Sequence, residues 1–106
     1  LERLNGVLWP VNHHGMIAMP NEIAPRTIGA CMLVNNEVGT IQPVAMFADA
    51  IHAAGGLLLC DAVQGFGRRV IPTGPDFIAV TAHKIHGPKG IGALWVKDGV
   101  HLPPLL

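Results

Sequence analysis

Lys84 sits between Thr81 and His83 on one side and the glycine-rich bend Gly87-Pro88-Lys89-Gly90 on the other, just after the apolar run Phe77-Ile78-Ala79-Val80. A lysine at the end of a buried strand is costly, because burial disfavours its charged form. The neutral amine that results is useful: it attacks a carbonyl and forms a Schiff base. Other polar residues share this placement. Asp61 ends the apolar run Leu57-Leu58-Leu59-Cys60, and Gln64 lies one short turn beyond it. Asn35 and Asn36 follow the apolar run Cys31-Met32-Leu33-Val34.

Singly, each residue has an ordinary role: Lys84 as a solvated loop residue, Asp61 as a helix cap, Gln64 on the surface, His83 in a loop. Jointly they read as a site. A carboxylate flanked by apolar sequence needs a cationic or N–H partner. A pyridinium nitrogen is one such partner, and pyridoxal 5'-phosphate (PLP) needs an anion there to keep its ring an electron sink. Gln64 has an amide to donate to a phenolic or carbonyl oxygen. Thr81 and His83, at alternate positions, suit a phosphate and a ring face, and Lys84 would form the Schiff base.

The elements that must position these residues are legible in outline. Val7-Leu8-Trp9 reads as a short strand, with a turn at Asn12-His13-His14-Gly15 and a loop or single helical turn between Pro20 and Pro25. Cys31 to Val34 is apolar and bounded by turn residues, as a buried parallel strand would be. Val44, Phe47, Ala48, Ile51 and Ala54 recur at helical spacing, with Pro43 at the start and Gly55-Gly56 at the end. Strands are expected at 57–60, 77–80 and 91–96, with the stretch 62–75 irregular. Strand, helix and strand make a right-handed crossover of a parallel sheet, and ligands gather beyond the carboxyl ends of such strands. The last strand follows a short turn and is expected to run antiparallel. The fold class is therefore α/β.

Composition limits the rest. Of 106 residues, 50% are hydrophobic and 13% charged, a balance more apolar than a free-standing domain of this size favours. Leu1-Glu2-Arg3-Leu4 reads as the end of a helix, and Leu102-Pro103-Pro104-Leu105-Leu106 has no polar tail. These features suggest the central stretch of a longer α/β chain. Net charge is zero with no basic run, which disfavours nucleic acid and anionic membranes as partners. Apolar stretches are too short to span a bilayer, and no signal peptide pattern is present. Cys31 and Cys60 lie in apolar runs and read as reduced core thiols, which suits a cytoplasmic setting. There is no serine, so a serine nucleophile is excluded within the segment.

Three stretches carry a family resemblance: Val34-Asn35-Asn36-Glu37-Val38-Gly39-Thr40-Ile41-Gln42-Pro43, Cys60-Asp61-Ala62-Val63-Gln64, and Ala82-His83-Lys84-Ile85-His86-Gly87-Pro88-Lys89-Gly90-Ile91-Gly92-Ala93-Leu94. Together they closely resemble cysteine desulfurases of the NifS/IscS group, fold type I enzymes of the class V aminotransferase family. The resemblance implies that residues 1–106 are the central part of a PLP-binding large domain. It also implies roles. Lys84 would be the Schiff-base lysine and the base for the substrate α-proton, and Asp61 would pair with the pyridine nitrogen. Gln64 would bond the phenolic oxygen, and Thr81 and His83 would contact the phosphate, Thr81 standing where the family often has serine. Asn36 would lie beside the cofactor and the substrate carboxylate.

The same resemblance implies L-cysteine as substrate, a sulfur-acceptor protein as partner, a homodimer, and a place in iron-sulfur cluster or thio-cofactor assembly. The stretch between Met16 and Cys31 is shorter than in the family. The family's ring-stacking histidine, substrate-binding arginine and sulfur-accepting cysteine have no counterpart in this segment. Cys60 points away from Asp61 by strand alternation and is not cast as that nucleophile. Alternative readings are another class V enzyme (an aminotransferase or a selenocysteine lyase), an inactive truncated fragment, or a metal- or nucleotide-binding module. His83, His86 and Asp61 match no closed zinc spacing, and the Gly87 bend lacks the order of a phosphate loop.

Overall fold

A computed structural model describes residues 6–103. The helix-end reading of Leu1 to Leu4 and the last three residues lie outside that range. Four strands form one sheet in the order β1-β2-β3-β4: β1 Ile28–Met32, β2 Leu57–Asp61, β3 Phe77–Thr81 and β4 Gly92–Val96. Helix α1, Val44–Ala53, crosses from β1 to β2. The pairs β1–β2 and β2–β3 are parallel, and β3–β4 is antiparallel, as the short connection requires.

Helix α1 forms where the apolar spacing predicts it. Val44, Phe47, Ala48 and Ile51 share one face and are buried against the sheet. Together with Leu33, Leu58, Cys60 and Ala62 they make the core. Trp9 meets Phe47 edge-on, with ring centroids 6.3 Å apart. Gly55 ends the helix with φ of 70°. At Gly56 any side chain would collide with the Thr27 carbonyl oxygen, the group that accepts the Leu57 N–H at the start of β2.

Two strands differ from the sequence reading. The first begins at Ile28, three residues earlier than its apolar run, because Gly29 makes room for Ile51 of the helix. Its pairing outlasts Met32, since the Leu33 N–H still donates to the Asp61 carbonyl. Val7-Leu8-Trp9 forms no strand: Val7 and Leu8 are exposed, and the nearby bridge joins Val11 to Ile17.

The parallel register fixes what the sheet presents. Met32, Asp61 and Ala79 stand side by side, as do Cys31, Cys60 and Ile78 one step earlier. Side chains alternate between faces, so Asp61 points away from α1 while Cys60 points into the core. The carboxyl ends of three parallel strands thus deliver Asn35, Asp61 and Thr81 to a single edge.

Candidate active site

Asp61 is the last residue of β2 and half-buried. Its Oδ1 accepts the Val63 N–H at 3.0 Å, which caps the turn that follows. Ala62 and Gly65 carbonyls then accept the N–H groups of Gly65, Phe66, Arg68 and Arg69, winding residues 62–69 into tight turns that carry Gln64. The helix-cap role and the site role of Asp61 are thus compatible, since a carboxylate has lone pairs to spare. Among the described residues no cation pairs with it.

A cleft of about 440 Å³ opens beside Asp61. Its floor is the sheet face away from α1, with Ala30, Met32 and Leu59, and its wall comes from Val11, Gly15 and Ile17. Asn35 lines it too, but Asn36, Gln64, Thr81, His83 and Lys84 stand outside the lining. Asn35 is occupied locally: its Oδ1 accepts the N–H groups of Glu37 and Val38, and this turn leaves Asn36 exposed.

Thr81 closes β3, and Lys84 follows in a single 3-10 turn, Ala82–Ile85. His83 therefore lies in this turn rather than in the strand. The turn is closed by His86 in the left-handed region (φ 65°) and by the Gly87 N–H donating to the Ala82 carbonyl at 2.9 Å. Thr81 Oγ1 donates to the Ile91 carbonyl at 3.2 Å. A hydroxyl has one proton, so His83 Nδ1, 2.9 Å away, is the donor to Thr81. Nε2 of His83 is then left facing outward. Lys84 is half-buried, and its carbonyl accepts from Arg68 Nη2 at 3.4 Å.

Sequence reasoning missed Arg68, Gln42 and the pair His52–Asp76. Each contact depends on a partner at least 16 residues away, which local patterns do not encode. Cys31 and Cys60 are free thiols paired across β1 and β2. Burial, and then the neighbouring Cys60 sulfur, pushes Cys31 up to about 12. Burial followed by the Asp61 charge pushes Cys60 up to about 11. Both therefore stay protonated and unreactive near neutrality. Among the described residues no three His, Cys, Asp or Glu side chains converge to hold a metal, and no helix is long and apolar enough to cross a membrane.

PLP fits these residues. A half-buried carboxylate in an apolar cleft, with one oxygen bonded to a backbone N–H and no cation beside it among the described residues, is complementary to a protonated ring nitrogen. A lysine stands in the turn that follows the adjacent strand on the same edge.

Residues 5–106 match the family Aminotransferase class-V. The chain belongs to the class V aminotransferase family. A cysteine desulfurase of Cereibacter sphaeroides is 41% identical over 116 aligned positions, covering the whole chain and 30% of that relative. A NifS-like protein from Rickettsia africae superposes with a TM-score of 0.81 at 26% identity, over 92% of this chain and 30% of that one. SspA, solved in complex with cysteine, gives 0.80 at 28% identity over 99% of this chain and 33% of its own. This class V segment thus spans about a third or less of the relatives it matches. The mainly parallel α/β sheet with an antiparallel last strand is the arrangement these NifS-like neighbours share over the segment.

Proposed function

We propose that the chain is the central part of the PLP-binding large domain of a cysteine desulfurase. The observation that carries this reading is Asp61, a half-buried carboxylate with no cationic partner among the described residues, at the sheet edge from which β3 leads into the turn that bears Lys84. The names of the similar proteins supply the substrate, L-cysteine. The parent enzyme transfers the cysteine sulfur to a thiol, so that L-cysteine and an enzyme thiol give L-alanine and a persulfide.

Asp61 would hold the ring nitrogen, Gln64 the phenolic oxygen, and Thr81 with His83 the phosphate. Asn36 would orient the substrate carboxylate. Lys84 would anchor the cofactor covalently and then move the substrate's α-proton at its Nζ. Bound there, PLP supplies an electron sink for bonds broken at the substrate α-carbon. Cys60 is in the core and Cys31 is held protonated, so the accepting thiol belongs to another part of the parent polypeptide. The free thiols suit a reducing cytoplasm. A homodimer and a sulfur-acceptor protein feeding iron-sulfur cluster assembly complete the reading.

The test uses the full-length parent. Purified protein is expected to carry the visible absorbance of bound PLP, and Lys84→Ala to remove the covalent attachment. Incubation with L-cysteine and excess dithiothreitol, the reductant that frees sulfur from the persulfide, is expected to yield sulfide and alanine in equal amounts. Covalent attachment that survives Lys84→Ala rejects the site, and failure to release sulfide points to an aminotransferase instead.

A further inference from the structure

Thr40 and Gln42 belong to the Asn-Asn-Glu-Val-Gly-Thr-Ile-Gln-Pro stretch, yet the cofactor reading leaves both without a role. Gln42 is only 6% exposed, and both ends of its amide are used. Oε1 accepts the Ile17 N–H at 3.0 Å, and Nε2 donates to the Gly15 carbonyl at 2.8 Å. Thr40 Oγ1 donates to the His14 carbonyl at 2.9 Å. Two side chains therefore bind backbone atoms of His14, Gly15 and Ile17 from a segment 25 to 27 residues away.

The same segment is anchored to the sheet and to the turn bearing Asn36. The Gln42 N–H donates to the Leu33 carbonyl at 2.9 Å, just beyond β1, and the Thr40 carbonyl accepts the Asn35 N–H at 2.9 Å. The loop is shaped from within by Asn12, whose Oδ1 accepts the His14 and Met16 N–H groups. Its approach to Thr40 is close: Gly15 has φ of 74°, and a side chain there would sit 2.9 Å from Thr40 Oγ1. Asn12 sets the loop's form, whereas Thr40 and Gln42 set its place.

We infer that Thr40 and Gln42 are positioning residues that clamp the outer wall of the cleft. Val11, Gly15 and Ile17 face Asp61 across that space, so the clamp fixes the width available beside the carboxylate. It also joins the wall and the Asn36 turn into one unit. Gln42 also lines the cleft, with both ends of its amide committed to the wall, whereas Thr40 stands outside the lining. With PLP and an amino acid as the occupants, an inference that rests on the function proposed above, loosening the clamp weakens substrate binding without slowing chemistry.

The experiment compares Thr40→Val, Thr40→Ser and Gln42→Met in the full-length parent. Hydrogen exchange at residues 14–17 is read in the cofactor-free protein, and kcat and KM for L-cysteine in the loaded enzyme. Thr40→Val, which loses one exposed hydrogen bond, is expected to speed exchange and raise KM about threefold, and Gln42→Met, which loses two part-buried ones, about tenfold, with kcat within about twofold in both. Thr40→Ser, which keeps the hydroxyl, is expected to match wild type in both. Wild-type exchange and KM in Thr40→Val overturn the clamp, as does Thr40→Ser behaving like Thr40→Val. If Gln42→Met does not fold, the threonine pair decides alone. A wild-type parent that takes up no PLP rejects the proposed function instead, while the exchange result still reports on the wall.

Discussion

His52 Nε2 stands 2.7 Å from Asp76 Oδ2, and the same oxygen accepts the Leu58 N–H at 2.8 Å. Lys97 Nζ lies 3.8 Å from the other oxygen. One buried carboxylate thus ties the end of α1, the start of β2 and the residue after β4 to the entry of β3. The cluster occupies the sheet edge opposite Asp61 and Lys84. Burial alone would raise the Asp76 carboxyl, but the hydrogen bonds from His52 and Leu58 and the charges of His52 and Lys97 hold it below its usual value.

That depression has a sign in stability. A carboxyl whose folded value is below its unfolded one stabilises the fold above about pH 4, and the contribution is lost as pH falls through the folded value. Urea unfolding of the full-length parent at stepped pH is expected to show an acid limb below about pH 4. Asp76→Asn is expected to flatten it, and Asp76→Ala to cost about 2 kcal/mol, chiefly by stranding the buried Leu58 N–H. An acid limb unchanged in Asp76→Asn would contradict this account.

Cys31 and Cys60 are raised to about 12 and about 11, so folding keeps them as thiols. Their stabilising effect is complete below about pH 9, the unfolded value, and is lost as pH climbs toward the folded values. Alkylation by iodoacetamide at pH 8 is expected to spare both in the native parent and to modify both in urea. Peptide mass mapping reads the outcome, and rapid native labelling of either cysteine would refute it.

Thr81 and His83 lead to a prediction about phosphate. Thr81 gives its proton to the Ile91 carbonyl, and His83 gives its Nδ1 proton to Thr81. With Nδ1 committed to Thr81, Nε2 is the ring nitrogen left to meet an anion. His83→Ala is expected to weaken PLP retention about tenfold, in keeping with a lost charge-assisted hydrogen bond. Fluorescence titration of the parent with PLP measures it. Equal affinity in wild type and variant would remove His83 from the phosphate site.

The helix and three of the strands were legible because their apolar spacing and turn residues agree with the tertiary packing. The start of β1 was hidden because Ile28-Gly29-Ala30 lacks a strong strand signature. It forms there because Gly29 receives Ile51. Asp61, Thr81 and Lys84 could be read as strand-end residues, and the register puts all three strand ends on one edge. The Asp76 cluster and the Gln42 clamp could not be read, since each is made by residues far apart in the chain, and the direction of the Thr81 proton turns on the Ile91 carbonyl across the hairpin. Only packing decides which distant carbonyl a buried amide will meet.

The connection from β3 to β4 keeps the lysine-bearing turn inside a local hairpin, with both strands drawn from residues 77–96. Asp61 reaches the same edge only after the longer excursion through α1 that pairs β2 with β1. The two halves of the site therefore differ in contact order: the hairpin closes over a short loop, whereas the carboxylate waits for a crossover. The hairpin that carries the amine is therefore expected to form before the crossover that delivers Asp61. Mutations in α1 should accordingly delay the acquisition of cofactor-binding competence while leaving the hairpin's formation rate untouched.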